Sequence, residues 1–83
     1  MIRVRAVGVT SHRVRGTGVH EHSHFVTADG RRLEVVRFPK HPNLNAHIRM
    51  YDQAGELVAE ESDSGLMGVG AILRLRGFDP PTE

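Results

Sequence analysis

Three histidines spaced two apart, His20, His22 and His24, are the residues of this 83-residue chain best suited to chemistry. On a β-strand, side chains at alternate positions share one face and stand about 6 to 7 Å apart, so the stripe presents its imidazoles together. Neutral imidazole nitrogens bind zinc or nickel at about 2.0 to 2.1 Å. The stripe is therefore the candidate transition-metal site, with Zn or Ni as the expected ion. His41, held between Pro39 and Pro42 in a stiff loop, is placed to swing toward it as a further ligand. The chain has no cysteine, which excludes disulfides and thiolate ligands and leaves imidazole and carboxylate as the strong donors.

Two plainer readings stand beside the metal site. The stripe can be a polar strand face that happens to be rich in histidine, or a pH-sensitive or anion-binding surface, because imidazole titrates near pH 6.5. His12 and His47 are weaker candidates, and a cross-strand pair with Glu60 accounts for His47. The segment Gly16-Thr17-Gly18-Val19-His20-Glu21-His22-Ser23-His24 resembles the His-x-His strand of cupins. It lacks that family's spaced glutamate and second motif, so no cupin fold is expected.

Arginine alternation is the second pattern. Arg3 with Arg5, Arg13 with Arg15, and Arg74 with Arg76 each place two guanidiniums on one strand face. If the first and last strands are neighbours, Arg3, Arg5, Arg74 and Arg76 form a basic patch for nucleic acid or a phosphorylated ligand. Only Phe25, Phe38, Phe78 and Tyr51 are aromatic, and the core claims at least two of the phenylalanines, which leaves little for base stacking. Gly65-Leu66-Met67-Gly68-Val69-Gly70 lacks the Gly-Lys-Ser/Thr of a phosphate loop and reads as a flexible connection or a close approach of backbones.

Catalysis finds little support. No nucleophile elbow or zinc-protease helix is present, and strand alternation turns His24 away from Glu21 and Ser23. A non-enzymatic binding or interaction module is expected.

The elements that position these residues are strands. Ile2, Val4 and Ala6 alternate with Arg3 and Arg5, and Val7 and Val9 continue on the other parity, which predicts a strand over 2–10 with a bulge near Ala6. His12 to Arg15 extends it or forms an edge, and Gly16-Thr17-Gly18 is a flexible break. Val19 to Thr27 is the histidine strand, Asp29-Gly30 marks a hairpin, and Leu33 to Phe38 returns. A loop of Asp29-Gly30 alone sets His24 opposite Val35 and turns the stripe inward. One extra residue, as a glycine bulge, sets His24 opposite Val36 and His22 opposite Phe38, moves Phe25 into the core with Leu33 and Val35, and turns the stripe outward with Glu34.

A second hairpin runs from Ala46 to Tyr51 and back through Leu57 to Glu60. A four-residue loop sets Leu57 opposite Met50 and Ala59 opposite Ile48. Ala71 to Arg76 is expected to be a last strand, with a helix near 62–72 as the main competing reading. The fold class is thus all-β: a small antiparallel barrel or sandwich of five to six strands, two hairpins plus N- and C-terminal strands. Residues 1–78 form one domain and 79–83 a disordered tail.

Composition sets the outer bounds. A chain this short buries a thin core, so a bound metal or a partner subunit is a natural source of extra stability. The net charge of +1 conceals asymmetry: residues 1–49 carry nine Lys/Arg against three Asp/Glu, a net +6, and residues 50–83 carry two against seven, a net −5. Such halves bind an anionic partner or pair with each other, within one chain or between two, so a protein partner or self-association is expected and nucleic acid is the alternative. No run has the length of a signal-peptide core or membrane span, which makes a cytoplasmic location the default expectation and excludes a membrane partner.

Overall fold

The computed structural model describes residues 1–16 and 18–81. Its elements in chain order are β1 (Ile2–Val14), β2 (Gly18–Thr27), β3 (Arg32–Arg37), β4 (Ala46–Tyr51), β5 (Leu57–Asp63), α1 (Val69–Leu75) and β6 (Phe78–Asp79). The strands make one sheet in the order β5-β4-β3-β2-β1-β6, curled into a half-barrel. The expected mostly-β fold is what forms.

Two hairpins built alike set the registers. At the first, the Gly30 N–H donates to the Thr27 carbonyl at 3.0 Å and the Thr27 N–H to the Arg31 carbonyl at 2.8 Å. At the second, Gly55 donates to Asp52 at 3.0 Å and Asp52 to Glu56 at 2.9 Å. Each loop is three residues long and ends on a glycine with positive φ, 88° at Gly30 and 87° at Gly55, as a turn closed by a glycine bulge requires. Side chains reinforce both: Arg31 N–H donates to Thr27 Oγ1 at 2.8 Å, and Asp52 Oδ1 accepts from Ala54 and Glu56, both at 2.9 Å. Gln53 Nε2 then donates to the Asp29 carbonyl at 2.6 Å, joining the two loop tips.

These loops correct both expected registers. The first hairpin contains an extra residue, but it is Ala28, so His24 faces Glu34 and His22 faces Val36. The stripe turns outward as the bulged reading required, two positions from its expected partners. In the second hairpin Met50 pairs with Ala59 and Arg49 with Glu60, while His47 faces Ser62 in place of Glu60. β1 runs past residue 10 to Val14, and its register shifts between Ala6 and Gly8, where the change of parity put a bulge.

The last strand expected at 71–76 is instead α1, followed by the two-residue β6 beside β1 and parallel to it. Val69, Ile72 and Leu73 fall at helical three-and-four spacing. Gly70 costs the helix about 1 kcal/mol relative to alanine, whereas complete burial of Ile72 and of Leu73 contributes about 1.5 to 3 kcal/mol each. Packing therefore outweighs propensity. Gly77, at φ 87°, ends the helix and donates to the Arg74 carbonyl at 3.1 Å. Asp79, assigned to the tail from sequence, lies in β6, and residues 82–83, like Thr17 of the expected break, lie outside the described residues.

The core fills the inside of the half-barrel: Val4, Phe25, Leu33, Val35, Ala46, Ile48 and Phe78 from the strands pack with Ile72 and Leu73 from α1. The loop entering α1 is held by Arg37 Nε donating to the Met67 carbonyl at 3.0 Å, and by Gly65 lying against the backbone of 42–44. A Cβ on Gly65 would collide with the carbonyl oxygens of Leu44 and Pro42. Gly65→Ala is expected to lower the melting temperature by more than about 8 °C, equivalent to roughly 2 kcal/mol in a domain of this size. Gly8→Ala, whose Cβ meets nothing within 4 Å, is the control and leaves melting followed by circular dichroism essentially unchanged.

Candidate functional site

The face of the sheet opposite the core gathers most of the chemistry-bearing side chains, and strand pairing orders them into rows. Across one row run Arg5, Val26, Arg32 and Tyr51; across the next, Gly8, His24, Glu34, Arg49 and Glu60. Thr10, His22, Val36, His47 and Ser62 form a third, and His12 pairs with His20 in a fourth. His20, His22 and His24 thus share this outer face with His12 and His47, which sequence alternation alone did not join to them.

Glu34 is the centre of the ionic network. His22 Nδ1 donates to Glu34 Oε2 at 2.9 Å and Arg49 Nη1 to Oε1 at 3.2 Å, while Arg49 Nε donates to Glu60. Burial would raise the Glu34 pKa, but the hydrogen bonds from His22 and Arg49 outweigh it and hold the carboxyl below its ordinary value. The neighbouring imidazoles have partners of their own. His24 Nε2 lies 3.3 Å from Thr10 Oγ1, and His47 Nδ1 lies 3.2 Å from Ser62 Oγ. The His12 ring stands edge-on to His22 with centroids 5.2 Å apart, and His20 stands edge-on to Phe38 at 4.5 Å. Val36 is buried beneath these side chains on the outer face, at 4% exposure.

The proposed metal ligands are only partly brought together. His41 lies against Gly18, at the start of β2, with Nε2 3.7 Å from where a Cβ would stand. Among the described residues no three His, Asp or Glu side chains are grouped closely enough to hold a metal ion.

The four arginines of the expected basic patch do not sit on two adjoining strands. Arg3 and Arg5 lie on β1, whereas Arg74 is in α1 and Arg76 caps it. Arg76 is bound to Asp63 and to Glu61, the latter at 2.9 Å, and these contacts raise its pKa, the Asp63 hydrogen bond most. The arginine that does share a row with Arg5 is Arg32, through Val26. Its signal in the sequence was the register of the first hairpin, without which Arg32 cannot be assigned a face.

The other feature is an open edge. β6 covers β1 only at Ile2 and Arg3, so among the described residues no strand pairs with the outer edge of β1 from Arg5 to Val14. Val7 and Val9 are exposed there at 59% and 63%. Neither Arg3, Arg5 nor Arg13 makes an ion pair among the described residues. β1 carries no acidic residue. No helix among the described residues is long and apolar enough to cross a membrane. Comparison with family models, curated proteins and solved structures finds no match.

Two carboxyls on this side of the molecule tie stability to acid pH. Asp29 is lowered from 3.8 to about 2, first by its hydrogen bond from Arg31 and then by that from Thr27. Glu34 is lowered from 4.5. A depressed carboxyl contributes stability that is complete above its unfolded value and is lost as pH falls through its folded value. Denaturant unfolding at a series of pH values should therefore show stability falling below about pH 4.5, with the Asp29 part lost between 3.8 and about 2. Glu34→Gln is expected to flatten the upper part of that fall and Asp29→Asn the lower part.

Proposed function

We propose that this chain is a non-enzymatic interaction module that adds an extended segment of a partner protein as a strand beside β1. The observation that carries the reading is the uncovered edge from Arg5 to Val14, with exposed Val7 and Val9 lying between unpaired arginines. An edge strand presents a row of backbone donors and acceptors ready to pair, and folded proteins usually blunt it with charge, proline or a covering loop. Here the described residues pair only with its first two positions, and Asp79 to Pro81 border it no further than Ala6. Main-chain hydrogen bonds give such a complex affinity, and alternate side chains give it selectivity.

The charges select the partner. A second β1 strand carries three arginines and no acidic residue, so pairing two copies edge to edge would gather like charges along one seam, which destabilises a sheet. The acids of β5 are of little use to a second copy, because Glu60 is bound to Arg49, and Glu61 and Asp63 to Arg76. The fitting occupant is a segment from another protein, apolar at its centre and acidic toward its ends.

A ten-residue peptide with central valines and glutamates near both termini is the probe. Binding should slow amide exchange over residues 7–14, weaken with salt, and weaken more than about tenfold in Arg13→Glu or Val9→Lys. Exchange unchanged in β1 with saturating peptide, or concentration-dependent dimerisation that the peptide does not affect, would overturn the proposal.

A zinc or nickel ion at the histidine stripe is a second reading, supported by the approach of the His12 and His22 rings across β1 and β2. It requires a third donor, from His20, His24 or His41, to join that pair. An ion held there should raise the melting temperature of tag-free protein, lose that effect on chelation, and lose it in His22→Ala. A melting curve indifferent to metal and chelator ends this reading.

A further inference from the structure

An open cleft of about 590 Å³ lies on the outer face over the row Arg5, Val26, Arg32 and Tyr51, with His24 and Glu34 along one side. We propose that it binds a small phosphorylated molecule, its phosphate held between Arg5 and Arg32 and its organic part lying over Val26 against Tyr51. The inference shares Arg5 with the β1 edge but does not require strand capture there, because Arg32 and Tyr51 belong to β3 and β4.

The arginines are the first support. Arg31, Arg37, Arg49 and Arg76 each have a carboxylate partner. Arg5 and Arg32 make no ion pair among the described residues, although both border the same cleft. Each is opposite Val26, one on either neighbouring strand, which sets their backbones roughly 9 to 10 Å apart on one face. Two long side chains converge readily across that gap. A guanidinium fork matches the planar pair of oxygens of a phosphate, and two forks supply donors for all its peripheral oxygens.

The rest of the cleft supports a small ligand with an apolar part. Glu34, the one carboxylate in the wall, is engaged by His22 and Arg49, so its repulsion of an incoming anion is largely neutralised. Val26 and the Tyr51 ring offer an apolar surface beside the cationic pair. The cavity lies within the 300 to 1,000 Å³ usual for small-molecule sites. An oligonucleotide fits this arrangement less well, since Phe25 is buried in the core and only the Tyr51 ring and the His24 imidazole remain beside the cationic pair for stacking.

The test is titration of the whole chain with phenyl phosphate, inorganic phosphate, phenol and a random single-stranded oligonucleotide, followed by amide and side-chain NMR shifts. Phenyl phosphate should move Val26, Arg32 and Tyr51 and bind at least about fivefold more tightly than phosphate alone, with phenol failing to bind. Arg32→Gln should weaken binding by about tenfold or more, and Arg15→Gln, outside the cleft, should leave it unchanged. Both arginines are exposed, so the variants are expected to melt like the parent. Shifts spread evenly over all basic residues, equal effects of Arg15→Gln and Arg32→Gln, or a clear preference for the oligonucleotide would overturn the assignment. Failure of the peptide at β1 leaves these outcomes unaffected.

Discussion

The three-residue loop Ala28-Asp29-Gly30 is the constraint on which the arrangement of the sheet depends. A one-residue slip in a hairpin turns every side chain of the strand to the other face. The glycine bulge at Gly30, buttressed by Thr27 and Arg31, sets Phe25 opposite Leu33 and Ser23 opposite Val35. Those residues then line the inside of the half-barrel, and His20, His22 and His24 are left outside by the same geometry. The second hairpin repeats the device with Gln53-Ala54-Gly55, and the Gln53 to Asp29 hydrogen bond couples the two. Core and outer face are consequences of the same choice of loop.

The outer face is then a set of charge decisions made row by row. In one row, Glu34, Arg49 and Glu60 satisfy one another, with His22 from the next row completing Glu34. In the row beside it, Arg5 and Arg32 flank an apolar residue and make no ion pair among the described residues. The contrast between a self-satisfied network and an unsatisfied pair separates structure from candidate function here. A surface ion pair adds little stability, about 0 to 1 kcal/mol, so the paired row is chiefly a matter of orientation. The unpaired row and the bare β1 edge are the places with capacity left for a ligand.

Much of this was legible in the sequence, and the failures have physical causes. Alternation found β1 to β5, and the change of parity at Val7 revealed the bulge in β1. Asp29-Gly30 revealed a hairpin but not its loop length, because the extra residue is an ordinary alanine. The helix was missed because α1 is only seven residues, shorter than the window over which helical periodicity is evident. Its glycines also spoke against it, while the useful signals, Gly77 just past its end and the spacing of Val69, Ile72 and Leu73, mimic strand alternation through Ala71 and Leu75. The arginine patch failed with that strand. Its replacement by Arg32 depended on a register that composition and spacing do not determine.

The most direct test of this arrangement is the set of cross-strand NOEs between β2 and β3. The register described here requires contacts linking His24 to Glu34 and His22 to Val36, with Phe25 next to Leu33. Contacts linking His24 to Val35 and Val26 to Leu33 would instead put the histidines inside and contradict it.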